Sequence, residues 1–230
     1  MADPEITGSR AAGVAREIAR ARSGAVSIAF TGRGEPAATE ALVSRLAPPG
    51  TATAWARQIH SATVLTARPG LCGEGDALVT DDNDLALCVV TADCVPLLMS
   101  DGRRIAAVHA GWRGIVAGVV GAAASRFLAP ATVTAWIGPA IGPCCYEIGD
   151  DVARSIAAVA GDGVLRPGAG DLPHADLPLA VERQLAAAGV ETAETWRHCT
   201  RCGDGRWSSY RRDGATASRN HALIWKHESY

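Results

Sequence analysis

A single lysine, Lys226, stands among 22 basic residues, so almost all the cationic chemistry of this chain belongs to arginine. Basic residues show no surplus: 22 against 24 acidic ones give a net charge of −2, which excludes the broad positive field of a nucleic-acid-binding domain. No apolar run approaches the roughly 20 residues that cross a bilayer. The opening Met1–Glu5 has neither a basic start nor an apolar core, so no secretory leader is expected. Repeats, heptads and low-complexity tracts are missing as well. The arginine bias fits phosphate or carboxylate recognition. In a chain this rich in Ala and Gly it fits GC-rich coding at least as well.

What is present describes an ordinary globular protein. Hydrophobic residues make up 48% and charged residues 20% of 230 positions, enough for one domain over residues 1–230 with a sizeable core. The seven cysteines are odd in number and irregularly spaced. Without a leader, they are expected to be reduced thiols in a cytoplasmic protein. No feature specifies an oligomeric state.

Periodicity gives a coarse map. Ala11, Val14, Ile18 and Ala21 predict an amphipathic helix over 9–22. A strand is expected at 25–30 and a helix from Glu35-Pro36 to Leu46. A β-rich stretch follows at 52–66, 76–80, 85–91, 96–99 and 104–109. Residues 112–128 read as a helix closed before Pro130, and 132–137 as a strand. Helices are expected at 149–160 and 178–188, with a loop over 162–176. The end offers strands at 191–197, 206–209 and 221–226. Links between strands are often too short for helical crossovers, which favours an α/β domain with mixed, largely antiparallel sheets.

Three residues carry the chemistry. Cys94 follows an apolar strand and is flanked by Asp93 and Pro96, a setting that favours exposure in a cleft. His109 ends another strand and opens His109-Ala-Gly-Trp-Arg-Gly114, where Gly111 and Gly114 permit close approach and unusual backbone angles. The helix start there, with Arg113, is a place to hold an anion. His60 has the weakest local evidence and gains weight from its company. Gln58, two residues earlier, shares its face if both lie in a strand, and can orient the imidazole or meet substrate.

Two imidazoles and a thiolate can hold a zinc that keeps a fourth position for water or substrate. They can equally form a cysteine nucleophile with a histidine base. The residues alone leave both readings open. A His₂Cys copper centre with Met99 as an axial ligand is a third, although Met99 suits the core better. Only six histidines exist and none forms a His-x-His pair, which counts against a multicopper oxidase. Cys72 and Cys88 read as structural. Cys144-Cys145 reads as a packing pair, and Cys199-Thr-Arg-Cys202 as two free thiols, since a zinc knuckle needs a second pair and none stands near it in sequence. Arg211 and Arg212 are further phosphate candidates, or one of them pairs with Asp213 in a solvated turn.

Four separated segments together resemble a known family. They are Ala92-Asp-Cys-Val-Pro96, His109-Ala-Gly-Trp-Arg-Gly114, Ile137-Gly-Pro-Ala-Ile-Gly-Pro-Cys-Cys-Tyr-Glu-Ile-Gly149 and Ser209-Tyr-Arg-Arg-Asp-Gly214. They are similar to the signatures of the laccase-domain family, also called polyphenol oxidase-like, purine nucleoside phosphorylase-like or peptidoglycan editing factor. The likeness runs from about Gln58 to Trp225. It implies a layered α/β/β/α sandwich related to cysteine-hydrolase-like folds. It implies that His60, Cys94 and His109 converge as a zinc site. It further implies phosphorolysis of adenosine, inosine, guanosine and methylthioadenosine, and deamination of adenosine, while charge and hydropathy alone lead to the expectation of no nucleic-acid or membrane partner. Copper-dependent phenol oxidation and the editing of cell-wall precursors are also assigned within the family. The chain departs from the family pattern in the short stretch 24–50 and at Thr216-Ala-Ser-Arg219, segments that bear on substrate range.

Overall fold

The computed structural model describes residues 17–23, 25–33, 39–168 and 170–227. Two six-stranded mixed sheets face one another. In spatial order the first contains β1 (Glu17–Ser23), β2 (Val26–Thr31), β14 (Asn220–Lys226), β7 (Leu85–Thr91), β3 (Ala52–Arg57) and β5 (Gly70–Glu74). The second contains β13 (Glu191–Thr195), β10 (Thr134–Ile137), β8 (Val95–Ser100), β9 (Ile105–Ala110), β6 (Ala77–Thr80) and β4 (Val64–Thr66). Antiparallel pairings form the centre of each sheet, with β3, β5 and β7 parallel in one and β13 and β4 added parallel to the other.

Strand alternation assembles the layers. Leu85, Leu87 and Val89 of β7 point between the sheets and meet Leu98, Ile105 and Ala107 of the second sheet. Their neighbours Ala86 and Cys88 face outward and are covered by Leu42 and Val43 of α1 (Thr39–Leu46). On the far side, Leu97, Met99, Ala106 and Val108 pack beneath α2 (Trp112–Ala117), α3 (Val119–Ala124), α4 (Asp150–Ala160) and α5 (Leu177–Ala187). The outcome is the α/β/β/α layering expected above. Met99 therefore belongs to the helix-side core, fully buried, and is no axial ligand. No helix among the described residues is long and apolar enough to cross a membrane.

Several expected elements differ. The helix over 9–22 is, in its described part, the strand β1, paired antiparallel with β2; residues 9–16 lie outside the described residues. Ala19-Arg-Ala-Arg22 alternates with a period of two, and pairing with β2 overrides the helical preference of alanine. The expected helix 112–128 is two short helices, because Gly118 adopts a left-handed φ of 87° between them. The run 52–66 is broken after Arg57 by a loop. Residues 206–209 form no strand but lead into α6 (Tyr210–Asp213). Strand β5 was hidden by its two glycines, and the 162–176 loop holds a small ribbon of β11 (Leu165–Arg166) and β12 (His174–Ala175).

Candidate metal centre

The ends of β8 and β9 build one side of the site. These strands are paired with Pro96 opposite His109, so Cys94, just before β8, lies beside the end of β9. His109 shares the parity of Ile105 and Ala107 and points to the inter-sheet side. It is only 3% exposed, Cys94 is half-buried and His60 is exposed. The ligand atoms of the three lie within 4.8 Å of one another. The two imidazole rings stand edge to face, 4.9 Å between centroids. The structure thus brings together the three residues singled out from the sequence.

His60 arrives by a different route from the one expected. It is not in a strand; it sits in the loop after β3 with a left-handed φ of 61°. Its shared strand face with Gln58 is consequently lost. Gln58 donates from Nε2 to the Val90 carbonyl (2.7 Å) and accepts from the Val90 amide at Oε1 (2.8 Å), so its side chain extends the β3–β7 ladder.

Asp76, at the mouth of β6, holds the His60 loop in place. Its carboxylate accepts from the amides of Ile59 (3.2 Å), His60 (3.0 Å) and Ser61 (2.6 Å) and from the Ser61 hydroxyl (2.8 Å). The same carboxylate meets His109 Nδ1 at 2.8 Å, and the Asp76 carbonyl accepts from the His109 amide at 2.7 Å. His109 is thereby fixed with Nε2 toward Cys94. Burial alone would raise the Asp76 carboxyl, but the hydrogen bond to His109 and those from Ser61 hold it well below the usual carboxylate range. Burial would likewise raise the Cys94 thiol, yet hydrogen bonds with His109 and His60 draw it down to about 7. Burial opposes charge on His109, but Asp76 and Cys94 outweigh it and push its pKa up to about 9. The result is an acidified, soft thiol beside two imidazoles, one of them oriented by a carboxylate, a partner that metal-ligating histidines commonly have. The donors fit a divalent zinc-like ion, which His60, Cys94 and His109 would hold.

Two glycines let the loop lie this close. A Cβ on Gly111 would stand 2.8 Å from His60 Cδ2 and 3.1 Å from Cys94 Sγ. One on Gly114 would stand 3.2 Å from the Ser61 carbonyl oxygen. The requirement is space: Gly111 has φ −73°, open to any residue, and Gly114 is helical. Gly111→Ala is expected to displace His60 and weaken zinc binding roughly tenfold or more, while leaving the melting temperature nearly unchanged. A zinc titration against a competing chelator measures this.

A cleft of about 630 Å³ opens over the three residues. Trp112, Arg113, Tyr146, Tyr210, Arg211 and Arg219 form its rim. The Arg113 guanidinium lies 4.4 Å above the Trp112 ring and that of Arg211 lies 5.2 Å from Tyr146. Asp93, with φ 91°, turns away from Cys94: it accepts from Thr200 Oγ1 (2.5 Å) and from the Arg211 amide (2.7 Å). Arg212 does not reach the cleft. Its guanidinium pairs with Asp213 at 2.9 and 2.8 Å and donates to the carbonyls of Thr200 and Trp207. Helix α2 starts after Gly111 with no side chain capping its first turn, and its first residues Trp112 and Arg113 face the cleft. Asp76, Tyr146 and Arg219 escaped the reading of the sequence; for Asp76 no local signal exists, whereas Tyr146 and Arg219 stand inside segments already singled out.

A family profile described as multi-copper polyphenol oxidoreductase laccase matches residues 28–227. The chain belongs to this family. Among laccase-family relatives, the Escherichia coli protein named purine nucleoside phosphorylase YfiH is 36% identical over 181 residues, covering 74% of this chain and 72% of its own. A Streptomyces coelicolor protein also named purine nucleoside phosphorylase is 37% identical over 183 residues, covering 74% of each. The fold is that of solved structures as well. A Neisseria meningitidis protein superposes with a TM-score of 0.78 at 31% identity over 89% of this chain and 95% of its own. YlmD from Geobacillus stearothermophilus gives 0.82 at 26% identity over 98% and 100%.

Proposed function

We propose that this laccase-family chain is a zinc-dependent purine nucleoside phosphorylase that also deaminates adenosine. The observation that carries the reading is the cleft: His60, Cys94 and His109 converge at its base while arginines stacked on aromatic rings line its rim. The names of the bacterial relatives support the same reading. A cavity of this size suits a nucleoside and phosphate together.

In this reading, Arg113 and Arg211 hold phosphate, and Trp112, Tyr146 and Tyr210 offer flat apolar surfaces to the purine. Phosphorolysis forms a bond between a phosphate oxygen and the ribose C1′, breaks the C1′–N9 bond, and releases the base with a proton. Zinc bound by His60, Cys94 and His109 would supply a Lewis acid at the cleft base. Asp76 keeps His109 and His60 positioned toward that point. Adenosine, inosine, guanosine and methylthioadenosine are the proposed substrates.

Zinc-loaded protein is expected to convert adenosine and phosphate to adenine and ribose 1-phosphate, and adenosine in the absence of phosphate to inosine. Failure to release base from any of the four nucleosides in phosphate would reject the proposal. A second reading draws on one specific observation, the Asp76–His109–Cys94 chain, which also has the order of an orienter, a base and a nucleophile. It makes the protein a metal-free amide hydrolase acting on cell-wall precursors. Full activity after exhaustive chelation, with loss on alkylation of Cys94, would favour it. A copper oxidase predicts coloured, copper-containing protein.

A further inference from the structure

Cys144, Cys145, Cys199 and Cys202 come together as a second group, separate from the three-residue site. Their sulfur atoms all lie within 4.8 Å of one another, and Cys144 and Cys202 Sγ are 3.4 Å apart. The pair expected to be missing beside the Cys199-x-x-Cys202 motif is thus the adjacent pair Cys144-Cys145, remote in sequence and delivered by the Gly- and Pro-rich loop between β10 and α4. We propose that these four thiolates bind a second zinc ion, as a closed structural site independent of the first.

Several features favour a metal over two free dithiols. Zinc–sulfur bonds of about 2.3 Å in a tetrahedron place the sulfurs about 3.8 Å apart, close to the spacing already present. The four converge on one point rather than forming two separate pairs. Cys199 Sγ accepts an amide hydrogen bond from Gly142 (3.3 Å), and the amides of Arg201 and Cys202 also point to it. Such donors favour a thiolate. The turn that carries Cys199 and Cys202 closes with the Gly203 amide donating to the Cys199 carbonyl (3.0 Å), and a Cβ at Gly203 would stand 2.6 Å from that oxygen. Backbone contacts hold the two segments in register: Ala140 bridges Cys199, and the Thr200 amide donates to the Ala140 carbonyl (3.0 Å).

The ion would tie down the wall of the cleft. Next to the cysteines, Ile141 donates to the Asp93 carbonyl (2.9 Å), Thr200 holds the Asp93 carboxylate, and Tyr146 lines the cleft. A closed set of four protein ligands leaves no open position, so the role is structural.

The test is native mass spectrometry and elemental analysis of the full-length protein, of Cys144→Ser/Cys202→Ser, and of Cys94→Ala. Wild type is expected to carry about two zinc ions per chain and each variant about one, lost from different sites. Iodoacetamide should modify Cys144 and Cys202, both exposed, only after chelation. An unchanged zinc content in Cys144→Ser/Cys202→Ser would overturn the proposal. So would a Cys144–Cys202 disulfide in the freshly purified protein, or rapid alkylation of Cys144 and Cys202 in zinc-replete wild type. If the double variant does not fold, the wild-type zinc count and the alkylation pattern decide. Failure of the phosphorylase reading leaves this outcome untouched, because Cys94→Ala reports on the other site.

Discussion

Asp76→Asn is expected to cripple the site. The carboxylate accepts from five donors at once: three amides, the Ser61 hydroxyl and His109 Nδ1. An amide of the same size keeps one acceptor oxygen. If that oxygen faces Ile59 and Ser61, the NH₂ group faces the His60 amide and His109 Nδ1. His109 must then accept at Nδ1 and carry its proton on Nε2, where the metal should bind. Alternatively the NH₂ group confronts the Ser61 amide, and the His60 loop detaches. Either way, zinc affinity and turnover should fall by roughly 10–100-fold, and stability by about 3 kcal/mol from buried hydrogen bonds to a charged acceptor. A competitive zinc titration and denaturant unfolding measure the two effects. Unchanged zinc affinity would mean that Asp76 serves folding alone. The sign with pH follows from its depressed pKa. Its stabilising contribution is present above the unfolded value of about 3.9 and is lost as pH falls below it. Wild type and Asp76→Asn should therefore converge in stability in acid.

Cys94→Ala is expected to abolish zinc binding at the cleft and to lower phosphorolysis by at least ~1,000-fold, about 4 kcal/mol of transition-state stabilisation. The thiolate would be the one anionic member of the three proposed ligands, and the exposed His60 and buried His109 imidazoles without it would make a poor zinc site. In the metal-stripped wild type, the Cys94 thiol drawn down to about 7 should alkylate with a midpoint near neutrality. His109→Ala should move that midpoint upward, since the hydrogen bond with His109 is the largest influence that lowers it. Zinc must displace the proton shared by this pair, so uptake should release acid and weaken as pH falls below about 7. A variant that retains cleft zinc and phosphorolysis would refute the assignment of Cys94.

Much of this site was legible because its residues sit in unusual local settings. Cys94 beside Pro96 and His109 before two glycines are out of place in a plain strand, and the strands themselves announced their ends. The layered fold followed from the same alternation. Asp76 was invisible, because Gly75-Asp76 is an ordinary entry to a strand and nothing in its neighbourhood reveals a carboxylate reaching back to Ser61 and forward to His109. The four-cysteine cluster was missed for a related reason. Its halves are separated by an entire α4–α5–β13 excursion, so the pairing exists only in three dimensions. Strand β1 was mistaken because alanine and arginine in alternation satisfy both periods over a short window. The Gln58–His60 loop was lost inside a β-rich run whose composition does not change where the chain turns.

The pairing of Pro96 with His109 has a further consequence. Strand side chains repeat with a period of two, so a slip of one residue between β8 and β9 would turn one ligand out of the cleft and into the helix-side core. No small adjustment of rotamers repairs such an error. In the zinc reading proposed above, the hairpin would be a gauge of its own assembly: a newly made chain that captured the ion at Cys94 and His109 would already have closed its second sheet correctly. Metal retention would then separate properly zipped molecules from misregistered ones in the same preparation.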